Sequence, residues 1–365
     1  MRILIAPDTF KGSLGAEAVA RHLAAGLRRE LPMAILELAP LADGGEGTAE
    51  VIRRARNGSS ITCPAHDALG RQQPADYAWI DSLGQAIIDM SAAAGLSALA
   101  AEERRPLQAS TFGVGEMLLH ATARPAAEIV VGLGGSATND GGFGLARALG
   151  FRFLGSDGRE LPDHVSALPE LKRIIPPNEL NLPPVIAACD VRNPLLGPAG
   201  ATRVFAPQKG AIPEDLELLE RALTRLADVA AHTFGRDQRA TPGAGAAGGL
   251  GFGLATFCGA ALRSGFEVVA EAIDLRGKIS RADVIITGEG KLDRQTLAGK
   301  APAGVARLAR ELGKPVYAIV GQTTHATEVQ SLFDGLITLD DPSPAYRDTA
   351  FLLEIRAREL AKQLR

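Results

Sequence analysis

Carboxylates, lysines, hydroxyls and glycines recur side by side in several short stretches of this chain. The first is Pro7-Asp8-Thr9-Phe10-Lys11-Gly12-Ser13. Ser13 is placed to cap a following helix, so Lys11, free backbone N–H groups and the helix dipole converge on one anion site. The second stretch carries Asp43, Gly44, Gly45, Glu46 and Gly47, with Thr48 as the expected helix cap. Two carboxylates among three glycines can hold a divalent cation or a substrate hydroxyl, and the glycines suit a backbone that something approaches closely. The third is richest: residues 132–142 read GLGGSATNDGG, with Gly134, Gly135, Ser136, Thr138, Asn139 and Asp140 in one loop. Bare N–H groups and hydroxyls in such a loop suit phosphate oxygens. Asp190, after Cys189 and before Asn193, stands where a catalytic carboxylate would. Lys209, in Gln208-Lys209-Gly210, offers another cation, and a second glycine run spans 243–249. Thr287-Gly288-Glu289-Gly290-Lys291-Leu292-Asp293, followed by Lys300, repeats the carboxylate, glycine and lysine vocabulary.

Taken singly, most of these stretches also read as capped turns or solvated lysines; their repetition is what points to chemistry. The six histidines form no HxH or HExxH, and the three cysteines (Cys63, Cys189, Cys258) form no CxxC. That cysteine pattern suits a reducing, cytoplasmic setting and excludes a disulfide framework or a structural zinc site. Hard oxygen ligands suit magnesium, and Asp43, Glu46 and Glu289 are its candidate ligands. Glycine loops, lysines and carboxylates without a metal cage describe phosphoryl transfer. Neither a Walker A sequence nor a GxSxG elbow is present. Residues 132–137 contain a formal GxGxxA, with Asp157 about twenty positions beyond, which keeps an NAD(P)-binding oxidoreductase as an alternative. The same residues partly echo the phosphate loop of galactokinase-like small-molecule kinases. A non-enzymatic two-domain ligand-binding regulator is a third alternative.

These loops need strands to hold them. Apolar runs at 3–6, 34–39, 129–131, 185–188, 284–286, 316–320 and 336–339 predict strands, several followed by helical patterns such as Val19, Leu23 and Leu27. Strands alternating with helices predict an α/β fold with a doubly wound, Rossmann-like parallel sheet, whose ligands bind beyond the strands' carboxyl ends. From about 60 to 125, turn signals between short alternating runs predict antiparallel hairpins instead. A second α/β domain at 61–269, inserted into a first formed by 1–60 and 270–365, accounts for both patterns.

At 365 residues the chain is long enough for two domains of about 150 residues or more. Its 39 basic and 42 acidic residues give a net charge of −3 with no basic stripe, so no nucleic-acid partner is expected. Residues 240–262 carry no charge, but seven glycines and few large aliphatics there predict a glycine loop entering a buried helix, and no membrane partner. A homo-oligomer is compatible with everything above.

PDTFKGSL, LADGGEGT, GLGGSATNDGG, ACDVRNPL, PQKGA, GAGAAGGLG and TGEGKLDRQTLAGK occur in the order found in bacterial type I glycerate kinases, which this chain resembles from Met1 to about Val320. The resemblance implies a Rossmann-like domain with an inserted α/β domain and an active site in the cleft between them. It implies ATP-dependent phosphorylation of D-glycerate, generally to 2-phosphoglycerate, with ATP and Mg2+ required. A kinase for another small hydroxy acid, or one forming 3-phosphoglycerate, is the nearest alternative. On this view Asp190 accepts the hydroxyl proton and Lys11 acts with it. Asp8, Ser13, the 134–140 loop, Asn193, Lys209, Lys291 and Asp293 bind phosphate or substrate, and Asp43, Glu46 and Glu289 serve the metal. Two departures stand out: Thr9 replaces a more usual serine, and Gln322-Thr323-Thr324-His325 differs from the family wording.

Overall fold

A computed structural model describes residues 1–10, 12–293, 300–324, 327–339 and 349–365. Its contacts divide the chain into two compact units, Met1–Asp43 with Ser264–Arg365, and Gly44–Arg263.

The first unit opens with β1 (Arg2–Ile5), α1 (Ala16–Glu30) and β2 (Ile35–Leu38). The chain then enters the second unit through α2 (Thr48–Ala55). This helix packs on the strands at Gln72–Ile80 and Gln85–Asp89, so the division falls before α2, earlier than the residue-60 boundary expected from the sequence.

In the second unit β3 (Ser59–His66), β4 (Gln72–Ile80) and β5 (Gln85–Asp89) form an antiparallel meander, as the turn-rich stretch implies. Next come α3 (Ser91–Ala94), α4 (Phe112–Ala123), β6 (Glu128–Gly132) and α5 (Phe143–Ala148). A small antiparallel pair, β7 (Arg152–Leu154) and β8 (Arg173–Ile175), precedes β9 (Val185–Ala188). The unit ends with α6 (Ala201–Phe205), α7 (Pro213–Phe234), α8 (Ala246–Phe257) and β10 (Ala261–Arg263). Its sheet runs β10-β9-β6-β5-β4-β3, parallel from β10 to β5 and antiparallel beyond. The uncharged 240–262 segment becomes α8 and its flanks. That helix is buried, and among the described residues no helix is long and apolar enough to cross a membrane. Phe143, Phe151, Phe153, Phe234 and Phe257 meet edge to face in this unit's core.

The chain returns to the first unit with α9 (Gly265–Ala272), α10 (Leu275–Arg281), β11 (Val284–Thr287) and β12 (Lys291–Leu292). It closes with α11 (Ala301–Glu311), β13 (Val316–Val320), β14 (Gln322–Thr323), α12 (Thr327–Gln330), β15 (Gly335–Thr338) and α13 (Thr349–Gln363). Its five-stranded sheet, in the order β15-β13-β11-β1-β2, is parallel throughout. Ile3, Leu4 and Ile5 are fully buried, which is why β1 is an unbroken apolar run and not an alternating one.

Helices α1 and α13 pack together, with Val19, Leu23 and Leu27 of α1 buried alongside Leu353, Ala357 and Leu360 of α13. Gly26 permits this approach: a Cβ there would strike the Glu354 carbonyl and come 2.8 Å from Ala357 Cβ. Gly26→Ala is therefore expected to lower stability by about 1–3 kcal/mol, against the gain that alanine brings to an exposed helix. Urea unfolding of the variant checks this.

Candidate active site

Three parallel strands of the second unit end in line. Asp89 closes β5, Gly132 closes β6 and Ala188 closes β9, paired Asp89 with Gly132 and Gly132 with Ala188. The 132–142 loop leaves β6 at this edge, and Asp190 lies two residues beyond the end of β9. The Leu133 N–H reaches the Ala188 carbonyl at 2.9 Å, which ties the start of the loop to the Asp190 segment. The geometry puts both at the carboxyl ends of parallel strands, where α/β proteins bind ligands.

Glycine lets several backbones converge on the loop. A Cβ on Gly134 would strike Gly45, one on Gly142 would lie 2.7 Å from the Gly253 Cα, and one on Gly248 would strike the Thr138 carbonyl. The Gly141 N–H donates to the Gly248 carbonyl at 3.1 Å. The 243–249 run thus serves to let α8 and its approach meet the loop. The N–H groups of Leu96 and Ala137 exchange bonds across the loop with the carbonyls of Gly135 and Ala94, at 2.7 and 2.9 Å.

Asp140 is 1% exposed and anchors the far end. Its carboxylate accepts from the N–H groups of Thr111, Gly142 and Gly144 and from the Thr111 hydroxyl, at 2.8–3.0 Å. Burial raises its pKa, while these bonds oppose the rise. The structure thus places Asp140 beneath the loop, with its oxygens turned to the starts of α4 and α5. Lys209 is 2% exposed, and its Nζ donates to Ser136 Oγ and the Thr138 carbonyl, both at 2.6 Å. Burial lowers Lys209 to about 7, with Asp140 pulling the other way. Asn139 Nδ2 donates to Thr202 Oγ1 at 3.1 Å. Thr138 Oγ1 and Asn139 Oδ1 are buried, with no hydrogen-bond partner among the described residues.

The Gly44–Glu46 turn lies against this loop, and Glu46 Oε2 would be 3.3 Å from a Cβ on Gly135. Gly47, with φ +94°, is the N-cap of α2, so Thr48 is the first helical residue and does not cap as the sequence suggested. The capping carboxylate comes from elsewhere. Asp89 accepts from the N–H groups of Gly47 and Ala49 at 2.8 and 3.0 Å. Sequence reasoning missed it because it lies 42 residues from Gly47. Burial pushes Asp89 up to about 7; its two N–H bonds oppose this and Glu46 adds to it.

Asn193 Nδ2 donates to the Ala199 carbonyl at 2.7 Å, and Asp190 is half-buried.

In the first unit the same strand-end rule gathers a second set. Asp8 follows β1, Asp43 follows β2, and Glu289 follows β11. Beyond the strands, the N–H groups of Asp8, Leu41 and Gly321 donate to the carbonyls of Gly288, Pro7 and Glu289 at 2.8, 2.9 and 3.0 Å. Asp8 and Glu289 are buried, and Asp8 Oδ1 accepts from the Thr9 N–H at 2.6 Å. Lys300 Nζ lies 3.7 Å from Glu289 Oε2 and 3.9 Å from Asp293 Oδ1, so the lysine named with this stretch in the sequence stands near both its carboxylates. Lys291 is exposed in β12. Ser13 does not cap α1, whose N-cap is Gly15; its hydroxyl donates to Thr349 Oγ1 of α13 at 2.8 Å. Lys11 lies outside the described residues.

Among the described residues no three His, Cys, Asp or Glu side chains are grouped as a metal cage. A magnesium ion held by one or two carboxylates and by ligand phosphates needs no such cage.

Asp140→Ala strips the acceptor from four buried donors, at roughly 1–3 kcal/mol each, and is expected to lower the unfolding free energy measured in urea by several kcal/mol or abolish folding. For Asp89, the folded carboxyl at about 7 holds its proton more tightly than the ordinary 3.8. The contribution to stability is therefore full at low pH and is lost as pH rises through about 7. The stability difference between wild type and Asp89→Asn should decline between about pH 4 and pH 7; parallel curves would contradict it.

Residues 3–365 match the glycerate kinase family. The chain is 39% identical over 377 residues to the glycerate kinase of Bacillus subtilis strain 168, covering 100% of this chain and 98% of that protein. It is 39% identical over 359 residues to the glycerate 2-kinase of Escherichia coli K12, covering 95% of this chain and 93% of that one. The crystal structure of a protein described as glycerate kinase 2 from Salmonella typhimurium LT2 superposes with a TM-score of 0.86 at 39% identity, covering 100% of this chain and 98% of that one. The family match over residues 3–365, with relatives 39% identical along nearly the whole sequence and a shared α/β architecture, makes this chain a member of the glycerate kinase family.

Proposed function

We propose that this protein transfers the γ-phosphoryl group of ATP to D-glycerate and forms 2-phosphoglycerate. The observation that carries the reading is the shared strand edge of β6 and β9, where the 132–139 loop and Asp190 leave the sheet side by side. The loop offers glycine backbone and the Ser136 hydroxyl to phosphate oxygens or to the glycerate carboxylate. Asp190 is the group assigned to accept the proton of the attacking hydroxyl. Asp8, Ser13, Lys11, Asn193, Lys291 and Asp293 are retained as further binding candidates. Catalysis of this type is mainly positioning and charge neutralisation.

The residues fit magnesium. Glu46 borders the loop at Gly135, a place from which a carboxylate can share a cation with a bound phosphate. Asp43 and Glu289 are the corresponding candidates of the first unit. When bound, the ion neutralises charge on the phosphates.

Phosphorus NMR of the purified protein with Mg-ATP and D-glycerate should show ADP and 2-phosphoglycerate growing together. A 3-phosphoglycerate resonance would overturn the regiochemistry, and intact ATP would overturn the acceptor. Asp190→Asn should lower kcat by about a hundredfold or more, the usual contribution of a general base. Turnover within tenfold of wild type would remove Asp190 from that role.

A further inference from the structure

A lysine beside a phosphate loop invites the reading that it grips the phosphate directly, but Lys209 is not available for that. It is 2% exposed and already donates to Ser136 Oγ and the Thr138 carbonyl, both at 2.6 Å. Those two bonds constrain what the loop can offer. In the ammonium form, which Asp140 favours, Lys209 has donors only, so Ser136 Oγ accepts from it and the single hydroxyl hydrogen points elsewhere. Among the described residues no protein group accepts that hydrogen. Likewise the Thr138 carbonyl faces Lys209, and a planar trans peptide then turns the Asn139 N–H the opposite way. Asp140, anchored on four donors, lies close enough to favour the charged form of the amine.

Resting on the reading of this loop as an anion site, we infer that Lys209 is a positioning residue that fixes Ser136 as a hydrogen-bond donor to the bound anion without touching the anion itself. The ligand class is a phosphate or carboxylate oxygen, from the nucleotide or from the hydroxy acid. Which of the two it is decides which KM responds.

The test is a double-mutant cycle of Lys209→Met and Ser136→Ala, with KM for Mg-ATP, KM for D-glycerate, kcat and the urea midpoint measured for each. Ser136→Ala should raise one KM roughly tenfold, as for loss of one hydrogen bond to a charged group. Lys209→Met should raise the same KM by a similar factor and leave the other within twofold. The double variant should be no worse than the more affected single. If Ser136→Ala raises a KM and Lys209→Met leaves it within twofold, or if the two losses multiply, the positioning role is overturned while the loop assignment stands. If Ser136→Ala moves neither KM, the loop assignment itself fails and the inference falls with it. Should Lys209→Met not fold, lysine-selective 15N NMR of wild type and Ser136→Ala replaces it. The buried amine signal should shift on adding ADP or D-glycerate to wild type and stay in place in Ser136→Ala; the same shift in both proteins overturns the inference.

Discussion

Four hydrogen bonds onto one buried carboxylate hold the second unit's strand-end loop to the rest of its fold. Asp140 takes N–H groups from the starts of α4 and α5 and a hydroxyl from Thr111, and that hydroxyl in turn accepts from the Leu145 N–H at 2.9 Å. Two helix N-termini, each with unsatisfied donors, are thereby satisfied by a single side chain at the foot of a glycine-rich loop. The arrangement is fully buried and leaves little room for the loop to relax, because Gly142 and Gly253 are already at backbone contact. A loop built from glycine would otherwise sample many conformations. Here its shape is imposed from outside.

The same economy governs the neighbouring turn. Helix α2 begins with a glycine and lacks a capping side chain of its own, so the Asp89 carboxyl, at the end of β5, accepts from its first N–H groups. Glu46, one residue before the cap, borders the loop while Asp89 lies behind it. The two carboxylates differ in place: Asp89 fixes backbone, and Glu46 lies beside the loop at Gly135. In the first unit, Ser13 is turned to α13 in a comparable way, which links a loop at the end of β1 to the last helix of the chain.

Much of this was legible in the residues. The strands at 3–6, 129–131, 185–188, 284–286 and 316–320 were visible as apolar runs because both faces of a parallel sheet are covered and alternation disappears. The glycine loop after β6 was visible because five glycines in eleven residues exceed what a tight turn requires. What escaped the sequence was partnership at a distance. Thr48 and Ser13 have the types and positions of helix caps, yet a glycine cap with a remote carboxylate replaces the first and a bare glycine the second. Lys209, a phosphate or substrate binder by the family resemblance, reads in isolation as a solvated lysine, since nothing local reveals that its amine is buried against the Ser136–Thr138 loop. Tertiary packing decided those cases, and it has no signature within a few residues.

The discontinuous first unit has a consequence for how the chain is made. Strand β1 lies between β2 and β11, and the Thr287 hydroxyl bonds back to the Ala6 carbonyl across 281 residues. At roughly 5–20 residues per second, the ribosome delivers that partner about a quarter of a minute to a minute after β1 is synthesised. In that interval β1 has an apolar edge with nothing to pair, whereas Gly44–Arg263 is contiguous and can fold as soon as it is complete. Order of synthesis thus makes the inserted unit the first to mature, and leaves the N-terminal segment as the stretch a nascent-chain chaperone has most reason to shield.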